Sequence, residues 1–134
     1  MTLLSPTPEY ALDARYMDAA RALARANGRT VTVTHDVRAG YEGADVVYAK
    51  SWGALPYFGR WDAEKPIRDA HRHFIVDREK MALTADAVFS HCLPLRRNVK
   101  ATDEVVRSPQ SMVIDEAENR LHVQKALLQH LLAG

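Results

Sequence analysis

Apolar residues follow two rhythms along this chain. Short runs rich in β-branched residues occur at Thr2-Leu3-Leu4, at 30–36 (TVTVTHD), 45–50 (DVVYAK), 87–92 (AVFSHC) and 111–115 (SMVID), and each reads as a strand. Segments of helical or turn-rich composition separate them. In the first, Asp13 offers a cap, and Leu12, Tyr16, Ala19, Ala20 and Leu23 recur at three- or four-residue spacing. Asn27-Gly28 then stops the helix. A last helix is predicted from about Ala117, with Leu121, Ala126, Leu128 and Leu132 on an apolar side, running into Gly134. It is long enough to leave the sheet and reach another domain. Strand and helix in alternation predict an α/β fold, a Rossmann-like three-layer domain with a mainly parallel sheet.

Between the third and fourth predicted strands lies a long stretch, SWGALPYFGRWDAEKPIRDAHRHFIVDREKMALT, containing both tryptophans and two prolines. A connection of that length reads as a lid or binding loop. No internal repeat, low-complexity tract or linker divides the 134 residues, so one domain over 1–134 is expected. The opening TLLSPTP has almost no lead-in, whereas a doubly wound sheet normally begins with a complete strand and helix. An upstream segment is therefore expected to be missing or supplied by another chain.

Composition narrows the function classes. Eighteen Lys and Arg against seventeen Asp and Glu leave a net charge of +1, too little to recruit nucleic acid or a membrane surface through an overall field. A local anion site stays open. One cysteine excludes an internal disulfide framework and a multi-cysteine metal site. No apolar run is long enough to span a membrane, and the start lacks a basic segment followed by an apolar core. The cytoplasm is the expected location.

In an open parallel sheet, ligands bind outside the carboxyl ends of the strands. Three such ends turn polar here: Lys50-Ser51-Trp52, His91-Cys92-Leu93-Pro94, and Asp115 to Arg120. Together they predict a cleft. Cys92 admits three readings: a nucleophile served by His91, a buried structural thiol, or a strand end presenting its thiol or carbonyl to a substrate amine. Neighbours on an extended strand face opposite ways, which disfavours the first. A cis bond before Pro94 would fix the turn. Arg96, Arg97 and Lys100 suit an anion, or a solvated surface. A desolvated Lys100 could also carry a carbamate, with Lys50 as a neighbouring cation. Glu116 and Glu118 complement the dipole of the last helix, and Arg120, about one turn in, can aim back at the strand ends. His71 and His73 have weak metal spacing and fit a lid or packing role better. Nucleotide binding has no motif, and no metal is predicted.

These residues are similar to a known family. HCLP, followed by DEAENRLH before a long terminal helix, resembles the second, amino-acid-binding domain of the ornithine transcarbamylases. VVYAKSWG, KPIRDAHRHFIVD and HCLPLRRNVKATD resemble its acetylornithine branch, over almost the whole chain. Ornithine-type members have an aspartate at the place of Lys50. An acid suits a substrate with a free α-amine, and a lysine suits one whose amine is acetylated.

The resemblance implies carbamoyl transfer from carbamoyl phosphate to N-acetylornithine, without metal or organic cofactor. It implies substrate-binding roles for Lys50, Trp52, His91, Cys92, Leu93, Pro94, Arg96, Lys100 and Arg120, with Cys92 and Arg120 at the reacting groups and Arg120 on the carbamoyl group. Leu93-Pro94 would be cis, and Lys100 carboxylated. Family members also carry a preceding carbamoyl-phosphate domain with a Ser-x-Arg-Thr loop and assemble as homotrimers. No such string occurs here. The first strand and helix of the second domain are expected to be absent as well, which would leave sheet edges exposed and the chain alone inactive and prone to aggregate. The alternatives are a noncatalytic remnant or binding module, or a fragment acting on succinylornithine or ornithine.

Overall fold

The computed structural model describes every residue except Trp52 and Gly134. Four of the β-branched runs form strands, each three residues long: β1 (Thr2–Leu4), β2 (Thr32–Thr34), β3 (Val46–Tyr48) and β4 (Val88–Ser90). β1 pairs with β2 and β3 with β4, both in parallel, so the α/β expectation holds while the strands lie in two two-stranded sheets. The residues group into two compact units, Met1–Glu42 with Ser51–Phe74, and Gly43–Lys50 with Ile75–Gly134.

In the first unit, α1 (Ala14–Ala26) begins where Asp13 accepts the Arg15 N–H at 2.8 Å, as its sequence predicts. It ends at Asn27, and Gly28 follows at φ +64°, a conformation glycine adopts without penalty. Its spacing residues Leu12, Tyr16 and Leu23 are nevertheless exposed, and Met17 supplies the buried contact. α2 (Val37–Tyr41), capped by Asp36, lies against β1. Gly40 permits that approach, because a Cβ there would stand 2.8 Å from Leu4 Cδ2.

The long stretch expected as a loop is mostly helical. It contains short 3-10 turns at Leu55–Tyr57 and Arg72–Phe74, α3 (Trp61–Ala70), and α4 (Arg78–Met81) in the second unit. Pro56 sits in the opening of a 3-10 turn, where a missing N–H costs little, and Pro66 gives up one bond inside α3. His71, His73 and Phe74 pack ring against ring, in line with the packing role. No group of metal-ligating residues occurs among the described residues.

The second unit is built around β4. Phe89 and Ala87 are fully buried, and Val76, Met81, Ala101, Val105 and Val113 join the buried set. The fifth predicted strand, SMVID, is reduced to one parallel bridge between Ser111 and Phe89. Phe89 donates to the Gln110 carbonyl and accepts from the Met112 N–H, each at 2.8 Å. The chain then turns into α6 (Val113–Leu132), which starts four residues earlier than the predicted Ala117. Asp115 and Glu116 in its first turn complement the helix dipole, which draws Val113 and Ile114 into the helix. A short α5 (Asp103–Val106), capped by Thr102, precedes it. No described helix is long and apolar enough to cross a membrane.

Candidate functional site

The register of β3 on β4 sets Tyr48 opposite Ser90 at the carboxyl end of both strands. The pairing continues one residue further, where Ala49 N–H donates to the Ser90 carbonyl at 3.0 Å. Alternation puts Tyr48 with Lys50, and Ser90 with Cys92, on one face. Lys50 Nζ then donates to Cys92 Sγ at 3.1 Å. His91 points the opposite way and is buried. Its Nδ1 accepts the Leu93 N–H at 2.9 Å, so the tautomer in this bond carries no proton on Nδ1. That bond holds the turn in which Leu93 adopts φ +45° and Leu93-Pro94 is cis, the isomer the sequence resemblance implied.

Helix α6 closes the cluster from the other side. Glu116 accepts the Tyr48 hydroxyl at 3.0 Å on one carboxylate oxygen and the Ser90 hydroxyl on the other. One turn later on the same face, Arg120 donates to the Cys92 carbonyl. Lys50, Cys92 and Arg120, nominated from the sequence, therefore converge.

The charges reinforce one another. The hydrogen bond from Lys50, and after it the one with Tyr48, holds the Cys92 thiol below its ordinary range against desolvation and the negative Glu116. Tyr48 is pushed up to about 12, first by its bond with Cys92, then by desolvation and its bond with Glu116. The Ser90 hydroxyl, followed by Tyr48, keeps Glu116 low despite desolvation. Burial, seconded by the Lys50 and Lys100 charges, depresses His91. A cationic Lys50, an ionised Glu116 and a neutral His91 thus surround one acidified thiol.

The remaining candidates separate. Lys100 is 8% exposed, with its N–H on the Arg96 carbonyl and its carbonyl accepting from Val76. Arg97, considered for an anion, pairs with Asp103 instead. Asn98 Oδ1 accepts the Asp103 N–H at 3.0 Å and steadies the same turn. Arg96 and Pro94 are exposed, whereas Leu93 is half-buried. Trp52 lies outside the described residues. In the first unit, a cavity of about 310 Å³ is lined mainly by Ala54, Leu55, Tyr57, Phe58, Trp61 and Glu64. The Glu64 carboxylate is engaged by the Ala54 N–H and by Arg68.

Comparison with known proteins places this geometry. The model of the family described as aspartate/ornithine carbamoyltransferase, Asp/Orn binding domain, matches residues 1–131. The chain belongs to the aspartate/ornithine carbamoyltransferase family. N-acetylornithine carbamoyltransferase of Xanthomonas campestris is 64% identical over 132 residues, spanning 98% of this chain and 39% of that protein. Ornithine carbamoyltransferase of Mycolicibacterium smegmatis is 45% identical over 122 residues, 90% of this chain and 38% of that protein. A solved acetylornithine transcarbamylase complexed with acetylcitrulline superposes with a TM-score of 0.93 at 65% identity, covering 97% of this chain and 39% of that one. Another, a mutant complexed with carbamyl phosphate and N-succinyl-L-norvaline, has the same TM-score and identity. The chain thus spans about 39% of the length of its acetylornithine relatives.

Within this carbamoyltransferase domain, three residues of the cluster escaped the sequence reading as site members. Tyr48 and Ser90 look like ordinary strand residues, and only their register reveals that they share a partner. Glu116 was assigned to the helix dipole, a role it fills while also holding both hydroxyls. Its neighbour Glu118 instead meets His122 one turn along, at 3.7 Å.

Proposed function

We propose that this chain is the amino-acid-binding half of an N-acetylornithine carbamoyltransferase. The δ-amine of N-acetylornithine attacks the carbonyl carbon of carbamoyl phosphate, the bond to the phosphate oxygen breaks, and N-acetylcitrulline and phosphate leave. A companion carbamoyl-phosphate domain completes the site, in a cytoplasmic homotrimer serving arginine biosynthesis. The observation that carries the reading is Lys50, whose Nζ lies 3.1 Å from Cys92 Sγ at the paired strand ends. Acetylation removes the positive charge of the substrate α-amine and leaves its carboxylate, for which a cation there is the complement.

Catalysis in this reading is placement and electrostatic stabilisation, with no covalent step at Cys92 and no cofactor. Lys50, Arg96 and Trp52 meet the amino-acid substrate. The 92–94 turn, braced by His91, faces the reacting amine, and carboxylation of Lys100 would replace the cation whose charge reaches His91 with a fixed anion. Arg120 polarises the carbamoyl oxygen. A guanidinium has five N–H donors, so the one on the Cys92 carbonyl leaves others for the substrate.

The test is carbamoyl transfer to acetylornithine, with ornithine and succinylornithine as controls. The chain is assayed alone and with a separately produced family carbamoyl-phosphate domain that includes the first strand and helix of the second domain. Acetylcitrulline from the mixture alone is expected. No product with any amine, from components shown to be folded and associated, overturns the catalytic reading and leaves a binding module.

A further inference from the structure

We propose that Glu116 is a positioning residue for carbamoyl transfer: it ties the first turn of α6 to the ends of β3 and β4 and thereby keeps Arg120 aimed at the Cys92 carbonyl. This rests on the carbamoyl-transfer reading of the site.

Burial along α6 shows where its orientation is set. Val113 is buried, Glu116 and Ala117 are half-buried, and every residue from Glu118 to Leu132 is exposed. Arg120 therefore stands on a part of the helix that is not packed, and the turn before it determines where it points. Apolar burial at Val113 is non-directional, so it holds the turn against the core without selecting an angle. Glu116 supplies the direction. One of its carboxylate oxygens accepts the Tyr48 hydroxyl at 3.0 Å and the other accepts the Ser90 hydroxyl. Tyr48 and Ser90 are register partners on neighbouring strands, so the carboxylate is fastened at two points whose spacing the sheet itself sets. The Ser90 hydroxyl, then Tyr48, keeps the carboxyl ionised, and an ionised acceptor makes both bonds stronger.

Glu116 and Arg120 lie one turn apart on the same face. With the carboxylate fastened at Ser90, the guanidinium reaches the carbonyl of Cys92, two residues further along the same segment. Fastening point and target thus belong to one strand end. Without Glu116, an exposed arginine samples many rotamers, and ordering it again at the reacting carbamoyl group slows the reaction.

Because Cys92 is the chain's only cysteine, labelling with cysteine that carries carbon-13 at its carbonyl gives a single carbonyl resonance, which reads the Arg120 bond directly. R120A marks the position of that signal when the bond is absent. E116A is expected to move it most of the way there, and E116A combined with R120A should move it no further than R120A does. Y48F combined with S90A should match E116A. E116Q, whose amide can accept from one hydroxyl and donate to the other, should stay near the parent. G40A, a destabilising change in the first unit, should leave the signal in place, which separates misplacement from a general loss of stability. In the two-component assay, E116A should lower kcat by about 10- to 100-fold with little change in KM for acetylornithine, and with R120A present it should add nothing. A carbonyl signal that stays at the parent position in E116A overturns the proposal. So does an E116Q chain displaced as far as E116A, which would make the charge responsible and not the fastening. The carbonyl signal needs neither carbamoyl phosphate nor a second domain, so its failure is separate from failure of the transfer assay.

Discussion

Phe89 is the residue on which the candidate site stands. It is fully buried at the centre of β4, pairs with Val47 on one side, and bonds through its backbone to Gln110 and Met112 on the other. Replacing it with alanine removes the ring but leaves those backbone bonds, so the loss is one of packing. Phe→Ala in a core costs about 3–5 kcal/mol. With a urea slope of about 1.5 kcal/mol per molar, the unfolding midpoint should fall by about 2–3 M. F89L, which retains most of the volume, should lose distinctly less. The assay is urea unfolding followed by far-UV circular dichroism at low micromolar protein. The Cys92 alkylation profile of each variant is recorded beside it, since Cys92 lies three residues downstream. An F89A chain within about 1 kcal/mol of the parent would refute the view that this ring organises the second unit. So would F89A and F89L losing the same amount.

Three further outcomes follow from the same contacts. K50M removes the donor that holds the Cys92 thiol low, so the alkylation midpoint should move to higher pH. A depressed thiol binds fewer protons folded than unfolded, so its contribution to stability is complete above the ordinary thiol range and lost as pH falls through the depressed value. K50M should flatten that part of the stability–pH curve, and urea midpoints between pH 6 and 10 check it. G40A forces a methyl against the Leu4 side chain and should cost about 1–3 kcal/mol by the same unfolding assay. R120A should reduce acetylcitrulline formation in the two-component assay by about 100-fold or more, chiefly in kcat, while R120K restores only part of it.

Local chemistry explains what the sequence made legible. Asp13 and Gly28 delimit α1 because a cap and a left-handed stop are properties of single residues. The β-branched runs became strands for the same reason, and Lys50, Cys92 and Arg120 met because strand ends and a helix start share one side. SMVID misled because an apolar pair suits a helix start as well as a strand: Val113 is buried there while Ile114 faces outward, and the acids behind them decided for helix. The stretch after Lys50 looked like a loop because prolines and tryptophans punctuate it, yet Pro56 opens a 3-10 turn and α3 runs on through Pro66 at the loss of one bond. Tyr48, Ser90 and Glu116 could not be grouped from sequence, since their association depends on the register between two strands and the rotation of α6. Arg97 could not be assigned either, because its acid, Asp103, lies across a turn.

Helix α6 also has a mechanical meaning. Its twenty residues make a rod about 30 Å long, gripped at one end by Glu116 and Arg120 and exposing Leu127, Leu128, Leu131 and Leu132 at the other. A force on the free end therefore acts through a long arm about a short fulcrum. Turning the rod about its axis by one residue, roughly 100°, would carry both grips off the strand ends at once. The two contacts would be lost together, so whatever docks on the distal leucines gains leverage over the thiol and the arginine.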